Sequence, residues 1–486
     1  MRKSAIAAFA LLTFFCGTGA PKDATDIIKD VSRAIAADTV NSLQYSGSGI
    51  YSQFGQSYLP NGPYPKFYVK YTRAVDYEKG LSREELVRTQ FENPPRGGGG
   101  QPLYREARGV TTASEGSAWS GSAVALTPDG FVKAAMAGHP SMKSMSMKGK
   151  QVTVISFTVK DKYKVNGYID SQNLLEKVET WMPNPILGDT LIETTYSDYK
   201  DFGGAKFPMK IAQKVGGFPV LDLTVSDVRP NTPVNIDAPR AAQSAPPQAH
   251  VESQKIAEGV WYLAGTPDPN SMAVEFKDYV VLIESSVTED RALANMAEVK
   301  RLVPNKPIRY HVNSHHHSDH AAGLRAFVAA GSTIITHEMN KPFYEQVVLK
   351  NPHTLEPDTF FKEPKPAKFI WVKDKYVLSD GDRSLEIYTV PGAGHTANLL
   401  MSFLPKEKIL FITDIFNQFG EPRPNDPPPG IVTPYYAALG ENLKRLNLDV
   451  QQIAPSHGKG VVPAELLHKA LEGTVQAPAV TSPNGN

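Results

Sequence analysis

The stretch His315-His316-His317-Ser318-Asp319-His320 constrains this chain more than any other. It reads H-x-H-x-D-H, with a fourth histidine, His316, at the first variable position. An apolar, extended run precedes it, Pro307-Ile308-Arg309-Tyr310-His311-Val312. A strand there delivers the chain into a tight loop, which can aim His315 and His317 at one metal ion while Asp319 and His320 turn towards a second. Neutral imidazoles and carboxylates suit zinc, and also iron or manganese. The alternative is a histidine-rich surface tract, and the downstream sequence bears on the choice. His316 and Ser318 receive no role.

Three further clusters each follow a strand-like run. Leu385–Val390 leads into Pro391-Gly392-Ala393-Gly394-His395-Thr396, where glycines place a histidine in a tight turn. Lys408–Thr413 ends at Asp414, and a charge at the tip of an apolar strand is costly unless paired or metal-bound. Gln452–Ser456 ends at His457-Gly458. Four such strand ends can converge on one edge of a layered fold.

The ordered set His315, His317, Asp319, His320, His395, Asp414 and His457 resembles the full metal-ligand pattern of the metallo-β-lactamase superfamily. The resemblance implies an αββα sandwich with a two-metal site at the sheet edge. His315, His317 and His395 would hold the first ion, Asp319, His320 and His457 the second, and Asp414 would bridge. Two Zn2+ per chain are expected, with iron or manganese as substitutes. Three neutral imidazoles leave an ion its charge and an open position, which lowers the pKa of water to near neutrality. Asp319 is the expected catalytic residue, orienting that nucleophile and passing a proton to the leaving group. Many zinc β-lactamases carry Cys where Asp414 stands and Lys three residues later, where this chain has Asn417. Only 29 residues follow His457, too few for the C-terminal helical domain of glyoxalase-II-type thioesterases. The expected activity is hydrolysis of an ester, lactone or amide of a small molecule. Two competing functions are a mononuclear iron dioxygenase of the persulfide type, in which His320 and His457 are spare, and a lipid- or envelope-binding protein with an accessory metal domain.

At 486 residues the chain exceeds one core, so two or three domains are expected. Residues 1–20 read as a signal peptide: Arg2-Lys3, an apolar run from Ala5 to Cys16, then Gly17-Thr18-Gly19-Ala20. That run is too short to span a bilayer. A periplasmic or secreted location follows. Cys16 is the only cysteine, which leaves no thiolate ligand and no disulfide in a processed chain. Lys and Arg total 51 against 50 Asp and Glu, a balance that argues against nucleic acid as a partner.

Residues 25–230 are expected to form a mostly antiparallel β domain with a leading helix over 26–37, residues 231–254 a Pro/Ala-rich linker, 255–470 the metal domain, and 471–486 a disordered tail. Strands are predicted at 66–75, 151–159, 163–169, 175–181, 191–196, 208–213 and 220–228, many of them rich in β-branched and aromatic residues. The run Asn166–Asp170, with Tyr196–Phe202 and Phe207–Ile211, is similar to periplasmic lipoprotein-carrier-like half-barrels. That likeness implies at most a concave apolar face; a lipid or envelope partner for this domain belongs to the competing function. Gly97–Gly100 reads as a floppy excursion, and Met142, Met145 and Met147 as a loop packing its methionines, with copper binding as the alternative. Segments 344–375 and 417–435 are candidate roofs for the pocket, the second lined by Phe416, Phe419, Tyr435 and Tyr436. His311 is expected in the core. His337 and Thr396 are candidate supports for the ligands. His139, His250, His353 and His468 are expected at the surface.

Overall fold

The computed structural model describes residues 22–114, 124–147, 149–237, 249–419, 423, 425–428 and 430–473. The signal segment and almost all of the tail lie outside them.

Helix α1 (Ala24–Ile35) starts at Asp23, whose carboxylate accepts from the Asp26 amide while Asp26 reaches back. This reciprocal cap satisfies two of the helix's free donors. Its face carries Ile28, Val31 and Ile35, all fully buried. Burying each contributes about 1.5–3 kcal/mol. They pack on a sheet of eleven antiparallel strands. The chain enters that sheet at its middle with β1 (Ser42–Ser52) and runs outward through β2 (Lys66–Asp76), β3 (Leu81–Gln90) and β4 (Ala107–Ser114). After α2 (Pro128–Ala137) it restarts at the far edge with β5 (Ser141–Met147). It then returns through β6 (Lys150–Val159), β7 (Tyr163–Ile169), β8 (Leu175–Asn184), β9 (Gly188–Phe202) and β10 (Ala205–Val215). β11 (Phe218–Pro230) closes the circuit by pairing with β1. Strict alternation in β2 buries Phe67, Val69, Tyr71, Arg73 and Val75. Helices α1 and α2 share one core with Tyr45, Tyr71, Tyr196 and Phe207 of the sheet. A cavity of about 40 Å³ remains, lined by Tyr45, Tyr71, Arg73 and Tyr196 among others. That is room for water, not for an acyl chain.

The second half is layered. One sheet runs in order through β12 (His250–Ala257), β13 (Val260–Thr266), β14 (Ser271–Glu275), β15 (Val280–Ile283), β16 (Ile308–Val312), β17 (Thr333–His337) and β18 (Lys368–Val372). The other comprises β19 (Lys375–Ser379), β20 (Ser384–Thr389), β21 (Leu400–Leu404), β22 (Ile409–Ile412), β23 (Gln452–Pro455) and β24 (Val462–Pro463). Their inner faces share a core of Tyr262, Met272, Val281, Leu385, Ile387 and Phe411. Helices α3 (Glu289–Leu302) and α4 (Leu324–Ala330) cover the first sheet. Helices α5 (Pro434–Leu446) and α6 (Glu465–Leu471) cover the second. The result is the expected αββα sandwich behind a large antiparallel sheet.

Three expectations need correction. Strand β12 begins at His250, inside the expected linker, because residues 250–257 pair with β13; residues 238–248 of that segment lie outside the described residues. The methionines sit on the edge strand β5, not in a loop. With no bulge in its pairing to β6, strand alternation puts Met142 on the face opposite Met145 and Met147, so the three do not converge on one ion. Gly97–Gly100 is packed against the candidate site described next.

Candidate metal centre

All seven predicted ligands come together where strand ends of the two sheets meet. His315 and His317 lie in the loop after β16, and Asp319 and His320 in the one-turn helix Ser318–Ala321 that follows it. His395 follows β20, Asp414 follows β22, and His457 follows β23. They form two groups, His315–His317–His395 and Asp319–His320–Asp414–His457. One donor atom from each member lies within 4.8 Å of the others in its group.

In the first group His315 Nε2, His317 Nδ1 and His395 Nε2 are buried and have no hydrogen-bond partner among the described residues. Each such orphan costs about 1–3 kcal/mol unless something pairs with it. The opposite ring nitrogens explain which atoms are free. Glu284 Oε2 accepts the Ser314 hydroxyl proton at 2.6 Å, so Ser314 Oγ is left to accept from His315 Nδ1 at 3.0 Å. The Ser57 carbonyl can only accept, so it takes a proton from His317 Nε2 at 2.7 Å. Both rings then turn a lone pair into the common gap. Burial, aided by neighbouring histidines, holds His315 and His317 well below the usual imidazole pKa, so both are neutral. Three converging imidazole nitrogens without hydrogen-bond partners fit a cation.

The second group is charged. His320 Nε2 lies 3.1 Å from Asp414 Oδ2, 3.3 Å from Asp319 Oδ2 and 3.1 Å from His457 Nε2. Two imidazole nitrogens that close suit a shared ion or proton. Burial disfavours a charged His320, but Asp414, Asp319 and Glu284 outweigh it and raise its pKa. Burial likewise opposes charge on His457, and the bond to Asp268 and contact with Asp414 push it up to about 10. Burial opposes ionisation of Asp414, yet His320 and His395 hold its carboxyl well below the usual range. Asp414 Oδ2 is also 3.5 Å from His315 Nε2 and 3.4 Å from His395 Nε2, so this carboxylate touches both groups. Its backbone is left-handed, φ 60°. A non-glycine residue held there carries strain of about 1–3 kcal/mol, the kind found where function fixes a side chain.

Carboxylates also orient the second group from behind. Glu284 Oε2 is 3.2 Å from His320 Nδ1, and Asp268 Oδ2 hydrogen-bonds His457 Nδ1. Glu284 therefore contacts His320 directly and His315 through Ser314. It ends the fully buried run Val280–Ile283, the same signal that singled out Asp414, and was legible in the sequence. Asp268, in a proline-rich turn, gave none.

The most distant contributors come from the antiparallel domain. Gln56 Nε2 donates to Asp319 Oδ1 at 2.8 Å, and Gly99 N–H donates to Gln56 Oε1 at 3.1 Å. Ser57 Oγ meets His316 Nε2 at 3.2 Å, while His316 Nδ1 meets Asn398 Oδ1 at 3.1 Å. His316 is thus a buried strut. Thr396 bonds Asn398 and the Tyr58 carbonyl instead of a ligand. His337 caps the turn at Met339, and His311 is fully buried and stacked on Phe327 at 3.7 Å. His353, expected at the surface, is buried 3.4 Å from Asp358. The roof is shared differently than expected. Phe416 is fully buried in the core against Tyr436. Tyr435 sits edge-on to His395 at 5.7 Å, and Phe419 lies 6.3 Å from His457. The glycine loop supplies the rest: Gly97 N–H donates to Gly394 O, and Tyr435 Oη donates to Gly97 O.

Among solved structures, the chain is similar to a metallo-β-lactamase from Pontibacter korlensis, with 20% identity, 46% of this chain and 97% of that one covered, and a TM-score of 0.34. FIM-1 from Pseudomonas aeruginosa in a mono-zinc form gives 21% identity over 46% and 96%, with a TM-score of 0.35. A curated relative, the alkyl/aryl-sulfatase BDS1 of Saccharomyces cerevisiae, is 26% identical over 143 residues, or 28% of this chain. The match spans 22% of that relative's length. The sequence pattern of the metallo-beta-lactamase superfamily matches residues 264–457. Residues 264–457, within the layered half of this chain, are a metallo-β-lactamase superfamily domain.

Proposed function

We propose that the chain is a zinc-dependent hydrolase with two ions per chain, cleaving an ester, lactone or amide of a small molecule. The observation that carries this is the trio of partnerless imidazole nitrogens beside a second convergent set, with Asp414 touching both. His315, His317 and His395 would hold one ion, and Asp319, His320 and His457 the other. Ions bound there would supply Lewis acidity and lower the pKa of water. The chain's residues do the rest. Asp414 offsets charge between the two groups. Asp319 keeps one oxygen on Gln56 and the other towards His320, placed to pass a proton to the leaving group. Tyr435 and the glycine loop wall the His395 side against water. In the dioxygenase alternative His320 and His457 are spare, whereas here both are aimed into the site and braced by carboxylates.

A sulfate ester is a second candidate substrate. The curated relative is described as an alkyl/aryl-sulfatase, and Arg423 stacks 4.0 Å over Phe419 beside His457, where it could meet an anionic group. The N-terminal Arg2-Lys3 and apolar run support export to a periplasmic or extracellular compartment. The test is a panel of lactone, carboxylic ester, amide and sulfate ester substrates with zinc-loaded wild type and Asp319→Asn. Turnover lost on chelation, restored by zinc and reduced at least ~100-fold in the variant is expected. Turnover indifferent to both would refute the proposal.

A further inference from the structure

The β1–β2 loop (residues 53–65) belongs to the antiparallel domain, some 260 residues before the ligands, yet it makes four contacts with the metal loop. Gln56 bonds Asp319, the Ser57 carbonyl bonds His317, Ser57 Oγ meets His316, and the Gly55 carbonyl accepts from the Ser318 amide at 3.2 Å. The orientation of Gln56 is unambiguous. Gly99 N–H can only donate and the Asp319 carboxylate accepts, so the amide oxygen faces the glycine loop and the amide nitrogen faces Asp319. The Gly98 amide also donates to the Gln56 carbonyl at 2.9 Å, so side chain and backbone of Gln56 are both held by the glycine loop. Gly98 permits this approach. A Cβ there would lie 2.0 Å from Gln56 Oε1 and 3.0 Å from His395 Cε1.

We infer that this loop is a working part of the metal centre, with Gln56 a positioning residue that fixes Asp319 for the second ion. With Oδ1 engaged by the amide, Oδ2 is the oxygen left facing His320 and His457, at 3.3 and 3.7 Å. A carboxylate free to rotate would present either oxygen and lose order each time an ion is bound. The antiparallel domain is, on this basis, a component of the site and not a passenger. The inference rests on the proposal that the site holds metal.

Zinc uptake by the full-length chain tests it independently of turnover. Gln56→Met keeps the volume but cannot donate, and Gly98→Ala leaves Gln56 in the sequence while pushing its amide aside. Zinc stoichiometry and affinity are read by competition with a chromophoric chelator, and the metal-free melting point is recorded for each. Both variants are expected to bind the second zinc about tenfold or more weakly, the usual effect of losing a ligand's outer partner. In Gln56→Met, which leaves the space beside His395 unchanged, the first zinc and the metal-free melting point should stay at wild-type values. Wild-type affinity for both ions in both variants would overturn the inference and leave the hydrolase proposal standing. Equal weakening of both ions with a lowered melting point would also overturn it, because the loop would then be only a prop. A wild type that takes up no zinc would remove the proposed function itself.

Discussion

Glu284→Gln exchanges a charge for an amide of equal size at a fully buried position. Ser285 N–H donates to Glu284 Oε1 at 3.0 Å, so a glutamine keeps its carbonyl there and puts its NH2 where Oε2 was. That NH2 faces Ser314 Oγ, which donates to Oε2 in the wild type, and His320 Nδ1 at 3.2 Å. Donor then meets donor. Ser314 must rotate, accept from the amide and donate to His315 Nδ1, which moves the His315 proton onto Nε2, the atom a metal requires bare. His320 loses its carboxylate at the same moment. One substitution therefore damages a ligand of each ion. Loss of an outer partner costs ~10–100-fold in metal affinity, or about 1.4–2.8 kcal/mol per ion at 1.4 kcal/mol per tenfold. Asp268→Asn is the contrasting case. It acts on His457 alone, and its side chain is 44% exposed, so solvent screens it and about tenfold on the second ion is expected. Zinc competition on the two variants reads both. Wild-type affinity at both positions in Glu284→Gln, or an Asp268→Asn effect exceeding it, would refute the relay through Ser314.

Other consequences are open to direct measurement. Burial depresses the His311 pKa to about 3 from 6.5. The unfolded chain takes that proton first, so stability is unaffected above pH 6.5, falls as pH drops from 6.5 to about 3, and is flat below. The slope from this group approaches about 1.4 kcal/mol per pH unit. Urea midpoints of metal-free wild type and His311→Asn at pH 7, 5.5 and 4.5 should show the shallower decline in the variant; equal declines would contradict it. Asn313 is fully buried, donating to the carbonyls of His315 and His320 at 3.0 and 2.9 Å and accepting from Tyr344 and Thr336. Asn313→Ala removes those four hydrogen bonds and should cost about 2–5 kcal/mol in urea unfolding together with most zinc binding; a loss under about 1 kcal/mol would show that water replaces the side chain.

The ligands were legible because each sits at the end of a strand with a strong apolar pattern, where chemistry-bearing side chains stand out. Ring orientation was not. It is set by partners remote in sequence, the Ser57 carbonyl for His317 and Gln56 for Asp319, and a backbone carbonyl has no sequence signature at all. The antiparallel domain divides in the same way. β2, β6 and β7 are rich in Val, Ile, Tyr and Thr and were predicted near their observed limits. β1, with its serines and glycines, and β3, Leu81-Ser-Arg-Glu-Glu-Leu-Val-Arg-Thr-Gln90, carry no such pattern and were not among the predicted strands. β3 is held instead by cross-strand partners such as Tyr71 Oη to Glu84 at 2.7 Å and Arg108 to Glu85 at 2.8 Å. The glycine loop was misjudged because four glycines signal freedom in isolation. Against Gln56 and His395 they signal close approach.

Elemental analysis of the purified full-length chain after zinc loading and desalting tests the central proposal most directly. Two zinc atoms per chain is the expected result, falling to none when His315 and His320 are both replaced by alanine. A chain that retains no metal, or retains two with both histidines gone, would contradict it.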